Sequence, residues 1–430
     1  MRFLINAFTK YRDGFALGMF LAGVPLVYFL RDGLALAPSS SIFSMVLIFL
    51  PLVFSLILKD YSFFYKPNGV TYKMLFVLLL YMIAYLYLKE RYFMTYNIRT
   101  ELLYYVLIGL LAINVVFMPT RTIGNSFIYI IFILSFLSCL SLIYYVSKNP
   151  LYVVGQRASF GIGEDFGGNP HINSKGAFLA IVASVLALKY YKTVKLGLII
   201  PVVLIILSVI VLFLTQTMLA YLATFLFGCF FLFYNLSFSN LSSTFRLFFT
   251  KWYILVLMAL GIGALVYQYN KNQELLKPAI NYFEVRISNL AESLFESKEE
   301  KNITAEATGD DSANTRIMHF NKVFERFEEA MDKGQYHYVL FGQGYKFMYI
   351  DIPHLEMLDS FGLVGFLLYS VFFIRVFLMC IREMRNPDSI GTEFLAYIFL
   401  YFLIANFTSG QMLDFYRFGT IFIMCRFLKK

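Results

Sequence analysis

Long apolar runs alternate with short polar segments along the whole chain, and one polar stretch breaks the rhythm. The apolar runs fall near 14–30, 42–58, 72–88, 103–118, 125–146, 176–191, 196–214, 217–235, 252–269, 358–381, 393–408 and 411–427. Each is about long enough to cross a hydrocarbon core of ~30 Å as a helix. Strand-like alternation, which a membrane barrel needs, is missing. The pattern predicts an all-α polytopic membrane protein with about twelve transmembrane helices. The break is the segment 270–357, a long and partly helical loop. It divides the chain into a membrane domain of nine spans over 1–269, the loop over 270–357, and a membrane domain of three spans over 358–430.

Periodicity continues inside the loop. Apolar residues recur at 276, 280, 283, 287, 290 and 294, and again at 317, 320, 324, 327 and 331. Both series have helical spacing. Two amphipathic helices are therefore expected, joined by the polar connector SKEEKNITAEATGDDS (297–312). Their apolar faces are expected to rest on the membrane domain or in the lipid interface.

Charge orients this scaffold. Only 15% of the residues are charged, and the net charge is +9. In a membrane protein such an excess marks cytoplasmic loops rather than nucleic-acid binding. With twelve spans and both termini in the cytoplasm, the inner loops hold Lys59, Lys66, Arg121, Lys189, Lys192, Lys195, Arg246, Lys251, Arg375, Arg382 and Arg385. The complementary set, 31–41, 89–102, 147–175, 215–217, 270–357 and the turn near 409, then faces outward and carries the distinctive polar residues. The first apolar run has no convincing small-residue cleavage site and reads as the first span, not a signal peptide. The four cysteines all fall inside apolar runs without a CxxC pair, so neither a disulfide framework nor a zinc ribbon fits.

Candidate chemistry concentrates on the outward set. His354 follows Pro353 at the mouth of a span. It reads either as an interfacial histidine with a water partner or as a general base. Pro353 disfavours helical geometry at Ile352, so that span is expected to begin near His354. Glu356 and Asp359 are the next proton acceptors along the chain. Arg286 and Arg316 read either as snorkelling side chains or as anion clamps, since a guanidinium fork matches phosphate oxygens. Arg157 precedes the glycine-rich run GIGEDFGGNPHINSKG (161–176), which has the spacing of neither a P-loop nor a dinucleotide fingerprint. Glu164 and Asp165 are an isolated carboxylate pair. His319, His337 and His354 lack metal-ligand spacing, so no metal and no cofactor are expected.

Taken in order, these pieces resemble the bacterial O-antigen ligase and O-antigen polymerase superfamily, which has a GT-C-like membrane fold. RASFGIG (157–163) with GNPHIN (168–173) resembles the family's outer loop before a central span. Thr215-Gln216-Thr217 resembles its short turn, which makes Gln216 a supporting residue. Arg286 with Leu290 matches an R-x3-L pattern, SANTRIMHF (312–320) resembles the segment of its second loop arginine, and FGQGY (341–345) precedes an H-x10-G pattern from His354 to Gly365. One departure is Met218, where ligases carry arginine after the turn. The resemblance implies a metal-independent glycosyltransferase in the bacterial inner membrane, with a periplasmic active site. Its donor would be an undecaprenyl-pyrophosphate-linked glycan. Its acceptor would be a lipid-linked repeat unit for a polymerase, or lipid A–core for a ligase, and other polysaccharide assembly proteins would be its partners. Arg286, Arg316 and Arg157 would bind pyrophosphate, His354 would accept the proton, and Gln216, Glu356 and Asp359 would support the acceptor. A flippase is the reading from another class. It would be expected to carry charge in mid-span around a central cavity, and these spans read as nearly free of charge.

Overall fold

The computed structural model describes residues 2–57, 61, 64–88, 98–152, 156–161, 168–191, 195–235, 263 and 311–428. The expected span over 252–269, the first loop helix over 276–295, Arg286, Glu164 and Asp165 lie outside the described residues. Among the described residues the fold is entirely helical. In chain order the helices are α1 (Arg2–Ala22), α2 (Val24–Tyr28), α3 (Ser41–Ile57), α4 (Gly69–Leu88), α5 (Ile98–Val116), α6 (Asn125–Lys148) and α7 (Pro170–Tyr190). They continue as α8 (Lys195–Thr215), α9 (Met218–Asn235), α10 (Asp311–Asp332), α11 (Tyr336–Phe341), α12 (Pro353–Arg385), α13 (Ile390–Thr408) and α14 (Phe415–Phe427).

Six of these helices are long and apolar enough to cross a bilayer: α4, α6, α7, α9, α12 and α13. The chain is thus a multi-pass helical membrane protein. The first expected span is two pieces, Tyr11–Ala22 and Val24–Gly33, bent by 70°. Pro25 in the first turn of α2 accounts for the break, because its ring cannot continue a helical hydrogen-bond ladder. The run read as a span over 411–427 is a turn followed by the 13-residue α14. At 1.5 Å per residue that helix is about 20 Å long, short of a full crossing.

The ends of the central helices follow from local chemistry. Asn169 caps α7 by accepting from the His171 amide at 2.9 Å, and Pro170 supplies the first helical residue. Ile352 is extended and α12 begins at Pro353, as the proline requires. Ser389 and Thr392 form a reciprocal cap on α13, and Asp414 caps α14 by accepting from the Arg417 amide at 2.6 Å. Every residue of α13 from Ile390 to Phe402 is buried, so this helix is the axis of the bundle. It packs against α7, α9, α12 and α14.

The bundle has two chemically different ends. At one, Lys189 pairs with Glu393 at 2.7 Å, Arg426 donates to the Met118 carbonyl, and the Cys425 carbonyl accepts from the Asn68 amide at 2.8 Å. At the other, the start of α7, the turn between α8 and α9, the approach to α12 and the turn between α13 and α14 come together. The Ala158 amide donates to the Leu214 carbonyl at 2.8 Å, joining the RASF segment to the Thr215-Gln216-Thr217 turn.

Helix α12 is broken at Gly362, whose φ is 64°. The break exposes carbonyls, and the FGQGY segment takes them up. The Gln343 amide donates to the Asp359 carbonyl at 2.9 Å, and the Gly344 amide to the Ser360 carbonyl at 3.0 Å. A side chain on Gly362 would meet the Leu340 backbone at 2.5 Å, and one on Gly342 would meet Gly362 at 2.4 Å.

Helix α10 matches the expected second loop helix, and of the two expected places for its apolar face it does not take the membrane-domain surface, which leaves the lipid interface. Ile317, Phe320, Phe324 and Met331 are exposed, and within that series only Phe327 packs inward. The docked face instead carries Val323 and Ala330 together with Arg316 and Arg326. Electrostatic partners on the membrane domain decide the rotation: Arg316 meets Asp351, and Arg326 meets Asp359 at 3.2 Å.

Substitution of Gly362 or Gly342 by alanine is expected to lower the melting temperature of the purified protein sharply. Backbone strain alone contributes about 1–3 kcal/mol, before any clash. Gly109→Ala, in open space on α5, is expected to leave it unchanged or slightly raised. Thermal unfolding in detergent checks this, and equal melting points for Gly362→Ala and Gly109→Ala would contradict it.

Candidate functional site

A cavity of about 590 Å³ opens at the end of the bundle where α7, α12 and α14 begin. Its wall is aromatic on several sides, with Tyr28, Tyr104, Tyr349, Tyr401, Phe402 and Tyr416. Its polar lining comes from Asn169, His171, Lys175, Asp351, Asp414 and Arg417. All these residues sit near the helix ends on one side, so the cavity is one-ended.

Asp351 anchors the mouth. Its Oδ1 accepts from the Gly410 amide at 2.8 Å and from the Tyr349 hydroxyl at 3.3 Å, and its Oδ2 accepts from Arg316 at 3.4 Å. Burial, with Asp351 alongside, pushes the Tyr349 phenol up to about 12, so it remains a donor throughout the physiological range. Arg157, Asp351 and Arg316 are all close enough to act electrostatically on His171. Arg157 Nε, Arg316 Nε and His171 Nδ1 are buried without a hydrogen-bond partner among the described residues. Buried polar atoms are normally paired, so three open valences around one cavity mouth mark a place for a ligand or ordered water. His319, one turn along α10 from Arg316, has its imidazole held below the ordinary value by burial; Lys322 adds to this and Asp351 opposes it.

His354 is not in the cavity wall. It stacks on Phe407 at 4.5 Å and is tied to Asn406 through Nδ1. Asn406 Oδ1 accepts from Tyr369 and, at 3.3 Å, from Arg417. Arginine has no acceptor, so the amide oxygen of Asn406 must face it and the amide nitrogen must face His354. His354 Nδ1 therefore accepts, which leaves the proton of the neutral ring on Nε2. In this arrangement the imidazole offers a donor at Nε2, and it reaches the cavity only indirectly, through Asn406 and Arg417.

The other expected site residues separate. Arg316 and Arg157 gather at the mouth. Gln216 is 7% exposed with φ 49°, in the turn that carries the Ala158 contact. Glu356 and Asp359 are buried: Glu356 accepts from the Met412 amide at 2.6 Å, and Asp359 is ion-paired with Arg326 at 3.2 Å, with neither of its carboxylate oxygens hydrogen-bonded among the described residues. They hold the 409–412 turn and α10 in place. Arg286 is outside the described residues. Among the described residues no group of three metal-ligating side chains is present.

Sequence reasoning singled out none of the charged or histidine lining residues His171, Lys175, Asp351, Asp414 and Arg417. His171, Lys175 and Arg417 each stand singly at the edge of, or within, an apolar run. The expectation of nearly charge-free spans does not hold inside the bundle, where Arg417 is 3% exposed. A charged residue inside an apolar run was the available signal. No protein-family model matches the chain, and no curated protein matches it in sequence. The family resemblance therefore stands on the motifs and their placement.

Asp351→Ala is expected to destabilise the protein more than Arg316→Ala. The first leaves the Gly410 amide without its acceptor, worth about 1–3 kcal/mol. The second removes a partly exposed ion pair, worth about 0.2–1 kcal/mol. Melting temperatures of the two variants check the order, and an equal or reversed effect would contradict the anchoring role of Asp351.

Proposed function

We propose that this chain is a metal-independent membrane glycosyltransferase that takes a polyprenyl-pyrophosphate-linked glycan as donor. The observation that carries the reading is the aromatic-walled cavity at one end of the bundle, lined by His171 and Asp351, with Arg316 paired to Asp351 and Arg157 near enough to act on His171. Glycosyl transfer from such a donor develops charge on a departing pyrophosphate, and preorganised guanidinium groups stabilise that charge best. Arg316 and Arg157 are assigned to this role together with Arg286. The acceptor hydroxyl must lose a proton. His171 lines the cavity with an unpartnered Nδ1, which suits a proton acceptor. His354, with its proton on Nε2, suits donation to an oxygen that gains charge. Aromatic walls suit sugar faces, and the apolar outer surface of the bundle suits a polyprenyl tail.

The charge pattern supports a topology with both termini cytoplasmic and the cavity on the periplasmic side of a bacterial inner membrane. Met218 after the Thr215-Gln216-Thr217 turn favours an O-antigen polymerase, joining lipid-linked repeat units, over a ligase acting on lipid A–core. Charged residues in the cavity wall lend some weight to a flippase, but a cavity confined to one end of the bundle favours surface chemistry over passage.

A lipopolysaccharide gel of a strain lacking this chain tests the reading. Loss of a polymerase leaves core with a single repeat unit, and loss of a ligase leaves bare core with accumulated lipid-linked polymer. An unaltered ladder would reject both. In the complemented strain, Arg316→Ala is expected to lose about 2–4 kcal/mol of transition-state stabilisation, with Arg316→Lys only partly restoring it. His171→Ala is expected to lose both rate and the acid-side fall of the rate. His354→Ala is expected to be slower with that fall intact. An acid limb that disappears in His354→Ala and survives in His171→Ala would reverse the two roles.

A further inference from the structure

Two cations project into the cavity behind its mouth, and neither has a carboxylate partner among the described residues. Lys175 lies on α7, with its ammonium 4.8 Å from the centre of the Phe402 ring and 5.1 Å from that of Tyr416. It makes no hydrogen bond to any described residue. Arg417 lies on α14 and is 3% exposed. Its Nη1 donates to Asn406 Oδ1 at 3.3 Å and to the Gln411 carbonyl at 3.2 Å, and its Nη2 to the Ser409 carbonyl at 3.5 Å. Its Nε is buried and unpartnered. Asp414 is near enough to act on Lys175, but its Oδ1 is the cap of α14 and is occupied by the Arg417 amide. Among the described residues that line the cavity, the charged side chains are Lys175, Arg417, Asp351 and Asp414, and Asp351 is engaged by Arg316 at the mouth. A buried cation held by neutral oxygens and ring faces is incompletely compensated.

We infer that Lys175 and Arg417 form an anion subsite inside the cavity, separate from the arginines at its mouth, and that the glycan seated there carries an acidic group, a sugar carboxylate or a phosphate substituent. The ammonium and the guanidinium edge supply charge-assisted donors for such a group. Tyr401, Phe402 and Tyr416 supply flat faces beside it, and the cavity volume lies within the usual range of ligand pockets, about 300–1,000 Å³. A polyprenyl tail is a poor fit for this inner part. Its back wall includes Tyr401, Phe402 and Ala405 of α13, which are buried. The anion subsite stands on geometry alone. The naming of its ligand as a glycan rests on the glycosyltransferase reading.

The test is calorimetric titration of the full chain in lipid nanodiscs at low salt, with glucuronic acid, glucose 6-phosphate, glucose and inorganic pyrophosphate as probes. At least one of the two acidic sugars is expected to bind ~10-fold or more tightly than glucose. Which of them does so tells carboxylate from phosphate. Lys175→Met and Lys175→Gln are expected to bring the acidic sugar down to the level of glucose, and Lys175→Arg to retain the preference. Two Lys175 replacements keep the test available if one fails to fold. Equal binding of acidic and neutral sugars, or an acid preference that survives both replacements, overturns the subsite. Pyrophosphate that binds through Lys175 while neither acidic sugar does overturns the glycan assignment. An acid preference through Lys175 in a protein that transfers no glycan leaves the subsite standing and removes the glycosyltransferase reading.

Discussion

Inside a bilayer a polar group must find its partner within the protein, and the turn between α13 and α14 is where this bundle meets that demand. Residues 409–412 are gripped from three directions. Asp351 takes the Gly410 amide, Glu356 takes the Met412 amide, and Arg417 donates to the carbonyls of Ser409 and Gln411. Arg417 also reaches Asn406, which fixes His354 and Tyr369. One turn thus joins the starts of α12 and α14 to the end of α13. Because Ser409, Gly410, Gln411 and Leu413 also line the cavity, the shape of the cavity depends on that grip. Glu356 cannot be replaced cheaply, since the buried Met412 amide without an acceptor is a larger loss than most surface ion pairs.

The two ends of the bundle then acquire different work. One end closes on itself, with Lys189 paired to Glu393 and the buried Arg426 held by the Met118 carbonyl. The other keeps buried cations and open hydrogen-bond valences around a cavity. Concentrating uncompensated positive charge at one end favours an anionic substrate that arrives from that side, which is the chemistry of a pyrophosphate-linked donor. Helix α10 adds to the same end, since its docked face presents Arg316 to Asp351 and Arg326 to Asp359.

Much of this organisation was legible in the sequence. Hydropathy marked the helices, the prolines at 170 and 353 marked two of their starts, and the basic loops separated the two ends. The second loop helix was found from its period, which left its apolar face to rest on the membrane domain or in the lipid interface. Apolar spacing alone does not decide between the two, whereas the arginine–carboxylate pairs with α12 and its approach turn Phe320 and Phe324 out. His354 was legible as special. Its tautomer was not, because that depends on Asn406 and Arg417, more than fifty residues away. Lys175 and Arg417 were hidden by their surroundings, since a single cation in an apolar run reads as the edge of a span. The short α14 was hidden for a related reason: apolar composition gives the length of a run, and the turn inside it is set by contacts with α12.

The central claim is glycosyl transfer at this cavity. Reconstitution of the purified chain in proteoliposomes with a polyprenyl-pyrophosphate-linked glycan tests it most directly, with the products read by mass spectrometry. The account predicts a lengthened glycan and stoichiometric release of polyprenyl pyrophosphate, in the presence of a metal chelator and without a nucleotide sugar. Release and elongation should both fail in Arg316→Ala. Intact donor after prolonged incubation with folded protein, or donor moved across the bilayer without bond cleavage, would contradict it.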